Sequence, residues 1–325
     1  MQCNQRFTCL APALLALALW LSASLAHGGE GPLRLIVPLA PGATADVAAR
    51  LLGPPIARTL GRPLMVENLP AAAGVPATAQ LTRAPADGSV LALVASNHVI
   101  NPALYKSLPY DPIRDVTPIT VVGSFPLVLV AHPSLPVRDA KDLLALARQR
   151  PGELNVGSGG NGSILHLAAE LLRSQAGGLD IRHIPYKGSA QMVADLLGRQ
   201  IDFAFLAVTV AEPLVKSGKL RALGMSTPVR SALLPGVAPL AEQGLPGYHY
   251  DAWIALVAPA GMRPELVGQL HALSQRLLAQ PEVREELARH GVTVIGGTPA
   301  QAAAYFKAEL EKQGRLVRES GAAMD

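Results

Sequence analysis

The stretch Leu154 to Leu172, LNVGSGGNGSILHLAAELL, constrains this chain more than any other, because it reads as a short strand, a glycine loop and the start of a helix. Gly157, Gly159, Gly160 and Gly162 carry no Cβ, so the loop can take positive φ and let a ligand approach bare backbone N–H groups. No packing role is expected for the four. Ser163 is placed to cap the helix, and Ile164, Ala168, Leu171 and Leu172 recur on one face behind it. The first-turn N–H groups of a helix have no partner inside it. With the positive end of the helix dipole they form an anion site.

What the loop lacks narrows the anion. Gly157, Gly159 and Gly162 match the dinucleotide pattern G-x-G-x-x-G, and Gly157 to Ser163 matches G-x-x-x-x-G followed by Ser. The phosphate-binding lysine of the second pattern is missing. The acidic ribose reader of the first would have to be Asp180, which precedes the strand-like run Ile181 to Tyr186 instead of ending it. A small carboxylate fits this loop better than a nucleotide. Lys187 is either a further anion contact or a solvated side chain.

A second strand, loop and helix start lies upstream. Leu33 to Val37 is an apolar strand signal leading into PLAPGATADVAARLL, where Pro41-Gly42 turns the chain and Thr44 is the expected cap. Asp46 has two readings: satisfying loop N–H groups and the dipole, or meeting a ligand ammonium or hydroxyl. Donors are expected at Ala43 to Ala45 and at Gly160 to Ile164. Pro54-Pro55 is expected to break the helix. At the end of the strand Val90 to Ala95, Asn97 is a candidate polar contact, with His98 either another or a satisfied surface histidine.

Residues 1 to 26 read as a secretory leader: Arg6, an apolar run from Leu10 to Leu21, and Ser24-Leu25-Ala26 as a small-x-small cleavage site. Both cysteines, Cys3 and Cys9, lie in it, so the exported chain has neither disulfide nor thiol chemistry. Of 325 residues, 30 are Gly, 28 are Pro and only 4% are aromatic, which suits an alanine-rich α/β protein. The net charge of +4, or +3 without Arg6, is scattered, which excludes nucleic acid as the expected partner.

Ile119 to Val122 and Leu127 to Ala131, split by a bend at Gly123 to Pro126, share the apolar, β-rich character of Tyr248 to Pro259. These segments flank a middle block and read as paired crossings between two lobes. Lobe 1 is expected over 27–124 plus 252–325 and lobe 2 over 125–251. The tail, with Pro264 to Gln280, Glu282 to His290 and Pro299 to Glu319 periodic at three and four residues, is helical. No G-x-S-x-G elbow, H-E-x-x-H pair or clustered histidine supports an enzyme, and no cofactor or metal is expected. The alternative is an exported Rossmann-like NAD-dependent oxidoreductase using the glycine loop.

Together, in order and spacing, LIVPLAPGATADVAARLL, VEN, ADGSVL, NPALY, TPIT, LNVGSGGNGSILHLAAELL, IPYKGSAQMVADLLGRQIDFAF, GKLRALG, LPGVAPLAEQGLPGY, APAGM and GGTPAQAAAYFKAELEK resemble the substrate receptors of the tripartite tricarboxylate transporter family, the Bug-type periplasmic binding proteins. The resemblance spans the mature sequence. It implies a type II periplasmic-binding-protein fold, two α/β lobes joined by two crossing strands with a ligand cleft between, and a monomer that captures a small carboxylate in the periplasm. Membrane transporter subunits are the implied partners. Carried onto this sequence, the ligand loops comprise Leu39, Ala40, Pro41, Gly42, Ala43, Thr44 and Asp46 on one side. Ser158, Gly159, Gly160, Asn161, Gly162, Ser163 and His166 lie on the other, with His166 as a loop organiser or an ordinary partly buried histidine. The chain departs from the family pattern at Ala43, at Ala71-Ala72-Ala73-Gly74 where a glycine-rich turn is usual, and at Pro54-Pro55.

Overall fold

The structure, a computed structural model, describes residues 31–324. The expected leader, its cleavage site and both cysteines lie outside them. The chain forms two α/β lobes on one mixed, ten-stranded sheet in the order β2-β1-β3-β9-β4-β7-β5-β6, with β10 and β8 also pairing with β4. In the first lobe β1 (Leu33–Val37) lies parallel to β2 (Leu64–Asn68) and β3 (Val90–Ala95). In the second, β5 (Asn155–Ser158) is parallel to β6 (Arg182–Pro185) and β7 (Phe203–Ala207).

The crossing is made by β4 (Val116–Ala131), 16 residues long, and β9 (Asp251–Pro259). The first part of β4 pairs with β9 as far as Pro126↔Asp251 and with β10 (Thr293–Gly296). From Leu127 onward it pairs with β7 and, from Val128, with β8 (Arg221–Met225). The strand therefore runs through Gly123 to Pro126, where a bend was expected. Gly123 is there for another reason: a Cβ would lie 2.4 Å from the Thr293 carbonyl oxygen, so only glycine lets β10 come so close. Pro126, with no N–H, sits at the change of partners.

Strand direction positions the site. β1 and β3 run the same way as β4 and point their carboxyl ends at the second lobe, whereas β5 runs against β4 and points back at the first. The loops after β1, β3 and β5 consequently all open onto the junction, where α/β sheets place ligands.

Helices cover both faces. On one side of the first lobe, α1 (Thr44–Thr59), α8 (Pro264–Ala279) and α9 (Pro281–Arg289) bury Ala48, Leu52, Leu270 and Leu287. Pro54 and Pro55 lie inside α1, against the expected break. Two prolines cost this helix hydrogen bonds, but burial offsets them: Leu52, Ile56 and Ala57 are in the core, and a Cβ at Gly53 would lie 2.9 Å from Leu64. On the other side are α2 (Val75–Thr82), α3 (Asn97–Leu104) and α10 (Pro299–Ser320).

In the second lobe α4 (Ala140–Gln149), capped by Asp139, joins α5 (Ile164–Gln175), α6 (Ser189–Leu197) and α7 (Val208–Lys216) around β4 and β7. Helices α3 and α10 tie the lobes together. Val99 and Phe306 enter the first core, while Ile100, Leu104, Leu316 and Val317 enter the second. No helix among the described residues is long and apolar enough to cross a membrane.

Candidate functional site

The loop after β1 is organised by one buried carboxylate. Asp46 Oδ2 accepts from the Gly42 N–H at 2.9 Å and from Arg50 Nε at 2.9 Å, and Oδ1 accepts from Asn68 Nδ2 at 3.0 Å. The same Asn68 amide reaches the Leu39 carbonyl, also at 3.0 Å. Burial pushes the Asp46 pKa up, yet bonds from Arg50, Gly42 and Asn68 outweigh it and hold the group below its ordinary value. Of the two readings of Asp46, the loop-satisfying one describes these contacts.

Thr44 does not cap: the N-cap is Ala43, without a side-chain bond, and the Ala43 N–H goes to the Ala40 carbonyl at 3.1 Å. Two first-turn amides, Thr44 and Ala45, bond to nothing among the described residues.

Behind this loop sits the alanine turn, Ala71 to Gly74. Ala72 and Ala73 take φ of 44° and 51°, and Gly74 takes 85°. Asn101 Nδ2 donates to the Ala73 carbonyl at 3.1 Å and Tyr105 Oη to that of Ala72 at 3.4 Å. Gly74 is pressed so close to Pro38 that a Cβ would lie 2.6 Å away. Asn97 is half-buried at the start of α3, beside a cavity of about 10 Å³ that Pro38, Gly74 and His98 also line. His98 is not the surface histidine expected. It is buried, stacks on Tyr110 with centroids 6.0 Å apart, and donates from Nε2 to the Pro112 carbonyl at 2.8 Å. Burial pushes its pKa down to about 4.

The glycine loop carries more internal wiring than its sequence discloses. Ser163 caps α5, accepting from the His166 N–H at 3.3 Å. His166 Nδ1 accepts from the Gly162 N–H at 3.1 Å, so the neutral ring carries its proton on Nε2, which faces Glu170 at 3.6 Å. His183, from β6, stacks on His166 with centroids 3.9 Å apart, and its Nε2 lies 2.6 Å from Ser158 Oγ. That hydroxyl in turn meets the Gly160 N–H at 3.2 Å and carbonyl at 3.1 Å. Burial, and next the neighbouring His166, push the His183 pKa down to about 4. His183 and Asn68 were not read as site residues: His183 stands in no motif, Asn68 ends the VEN motif with nothing local to mark a role, and each acts across a strand pairing.

The set of donors shrinks accordingly. Among those expected, Gly160, Gly162 and Ser163 N–H are occupied within the loop. The Ile164 and Leu165 amides bond to nothing among the described residues. The glycines also divide. Gly157 has no positive φ and is a packing residue, since a Cβ would lie 2.3 Å from Ile201 Cδ1. Gly159 has no positive φ either, whereas Gly160 has φ 123°. Gly162 has φ 67° and abuts Leu104 of α3, where a Cβ would lie 2.3 Å from Cδ2. Asn161 is exposed. So is Lys187, which bonds to nothing among the described residues.

Asp180 is far from any nucleotide-reading position. It meets Gly152 ahead of β5, at the opposite end of that strand from the loop, with the Gly152 N–H donating to the Asp180 carbonyl at 2.9 Å. What remains at the junction is two helix starts offering amides, with Ile164 packed against both cores.

The family model for the tripartite tricarboxylate transporter family receptor matches residues 48–322. The chain belongs to that receptor family. Its relative BugT of Bordetella pertussis is 35% identical over 293 residues, covering 90% of each protein. Among solved structures, Rhodopseudomonas palustris Rpa4515 with adipate superposes with a TM-score of 0.80 at 30% identity, covering 91% of this chain and 99% of that one. MatC of the same organism, with bound malate, gives 0.76 at 29% identity, covering 89% and 99%. The family is one of solute-binding receptors. Ala72 and Ala73 adopt a left-handed backbone that glycine takes without strain.

Proposed function

We propose that this chain is a periplasmic receptor that holds a small dicarboxylate between the loops after β1 and β5 and presents it to the membrane subunits of a tripartite tricarboxylate-type transporter. The observation that carries this is the pair of helix starts whose Thr44, Ala45, Ile164 and Leu165 amides have no partner among the described residues, both facing the junction. Such groups only donate, and a carboxylate only accepts. The adipate and malate of the related structures support the ligand class. In this reading Leu39 to Thr44, Asn97 and Ser158 to Ser163 form the walls, while Asp46 and His166 hold the loops. The lobes divide at 124/125 and 251/252, with α3 and α10 bridging them. The receptor acts as a monomer, delivered to the periplasm by its leader.

Calorimetry with adipate and malate against their diamides tests the clamp. Replacing a carboxylate oxygen by NH2 sets donor against donor in a closed site, at about 1–3 kcal/mol, with a further loss as the charge goes. Affinity is expected to fall about ten-fold to several hundred-fold. Equal affinity for acid and amide would overturn the reading.

A further inference from the structure

A cavity of about 630 Å³ lies on the β10 side of the crossing and shares no residue with the loops described above. Its volume is that of a small-molecule site. The walls come from both lobes: Val229 and Leu233 follow β8, and Val292 and Ile295 lie at β10. Val229 and Ile295 are 71% and 45% exposed, a large apolar surface for residues at the mouth of a cavity. The lobes touch beside it, where a Cβ at Gly291 would lie 2.6 Å from Val208 Cγ1. The cavity's shape therefore depends on how the lobes are set.

Its chemistry is the reverse of the glycine loop's. Asp251 lines it, only 8% exposed, and the nearest base is His249, with Nε2 at 3.7 Å. The other basic groups of the lining have carboxylate partners of their own, although the charge of Lys312 also reaches Asp251. Lys312 Nζ bonds to Glu309 Oε1 at 3.2 Å and lies 5.5 Å from the Tyr250 ring centroid, and Arg230 bonds to Glu242 at 3.3 Å. Glu309 also accepts from Trp253 Nε1 at 3.3 Å and Gln313 Nε2 at 3.0 Å. The Tyr305 hydroxyl, beside Asp251, has no hydrogen-bond partner among the described residues. His249, the Ser124 hydroxyl and the charge of Lys312 hold Asp251 below its ordinary carboxylate range despite its burial, so it lines the cavity as an anionic acceptor, and such a group favours a cation that brings its own donors.

We propose that this cavity is a second binding site, taking a small organic ammonium whose head meets Asp251 and Tyr305 and whose apolar body lies between Val229, Leu233, Val292 and Ile295. An occupant spans the crossing and holds the lobes at their present spacing. The two sites then sort solutes by charge: the loops take anions, the cavity cations.

The probe is 4-phenylbutylammonium, with 5-phenylpentanoate as the matched anion, titrated by calorimetry into the mature protein. In the Gly160→Val protein, whose loops no longer hold a carboxylate, the ammonium is expected to bind at least ten-fold more tightly than the acid. Asp251→Asn should weaken it at least ten-fold, and Tyr305→Phe several-fold. Val229→Lys, at an exposed position that does not endanger folding, should weaken it by a similar factor. Gly160→Val, which acts on the loop, should leave ammonium binding unchanged, so failure of the carboxylate reading and failure of this one are distinguishable. Equal affinity of the two probes for the Gly160→Val protein, or a Val229→Lys and Tyr305→Phe pair that both bind as the parent does, would overturn the proposal.

Discussion

The alanine turn behind the first loop makes a sharp energetic prediction. Ala72 and Ala73 hold φ of 44° and 51°, where an L side chain crowds its own carbonyl at a cost of about 1–2 kcal/mol per residue. Ala72 is exposed and Ala73 half-buried, so little methyl packing is lost by removing them. The bonds from Asn101 and Tyr105 end on backbone carbonyls and survive any side-chain change. Glycine at either position relieves the crowding but loosens the unfolded chain, which costs about 0.4–1 kcal/mol. The net expectation is a gain of about 0.5–1 kcal/mol for Ala72→Gly or Ala73→Gly. Because the residues are neighbours, the double variant should gain less than the sum. In a protein of this size that is roughly 1–3 °C in melting temperature, well resolved by circular dichroism or calorimetry. Ala73→Val should go the other way, because a branched side chain tolerates this backbone least. Glycine variants that melt lower than the parent, together with a neutral valine, would show that the left-handed turn is not formed.

Gly160→Val should abolish carboxylate binding while the protein stays folded, because φ is 123° there and the Gly160 N–H belongs to the Ser158 network; Gly159→Ala, with no positive φ and no neighbour nearer than 3.8 Å, should bind normally. Equal behaviour of the two, in calorimetry and circular dichroism, would refute the division of the glycines. For pH dependence the relevant group is His98, whose folded pKa of about 4 lies below its ordinary 6.5. Between these values the unfolded chain binds the proton and the folded one does not, so stability falls as pH drops from about 6.5 to 4, by about 3 kcal/mol from this residue. His183 shifts in the same direction, with a smaller effect because it is partly solvated. His98→Gln, which can still donate to the Pro112 carbonyl, should flatten that slope in urea titrations at several pH values, and an unchanged slope would exclude His98 as its source.

The legible parts were those governed by local pattern. Leu33–Val37 and Val90–Ala95 stand as strands over the residues their apolar runs mark, and Ser163 caps α5. Where tertiary contact decides, the pattern misleads. Pro54 and Pro55 remain helical because Leu52 and Ile56 are buried around them, and Gly123 serves a neighbouring strand instead of a bend. The same holds in the site. Four glycines look alike in sequence, yet Gly157 packs under Ile201, Gly162 abuts Leu104, and only Gly160 and Gly162 need their backbone freedom. His183 and Asn68 act through strand pairings that join residues far apart in the chain, so no local spacing marks them.

The internal wiring bears directly on what the loops can select. Each loop contains more amides than a carboxylate could use, and side chains from its own lobe remove the excess: Asp46 takes Gly42, Ser158 takes Gly160 and His166 takes Gly162. The amides left over are first-turn donors, fixed in direction by α1 and α5. Donors so fixed need no reorganisation when an anion arrives, which favours affinity without a charged side chain. Backbone groups carry no side-chain identity, so in the proposed site the discrimination among acids must come from the side chains lining the junction. On the reading proposed above those include Leu39, Ala43, Asn97 and Ile164, and two of the four are aliphatic side chains larger than alanine. A junction so lined favours an acid with a methylene chain between its carboxylates over one bearing several hydroxyls, since each hydroxyl against an apolar wall loses its water without a replacement partner.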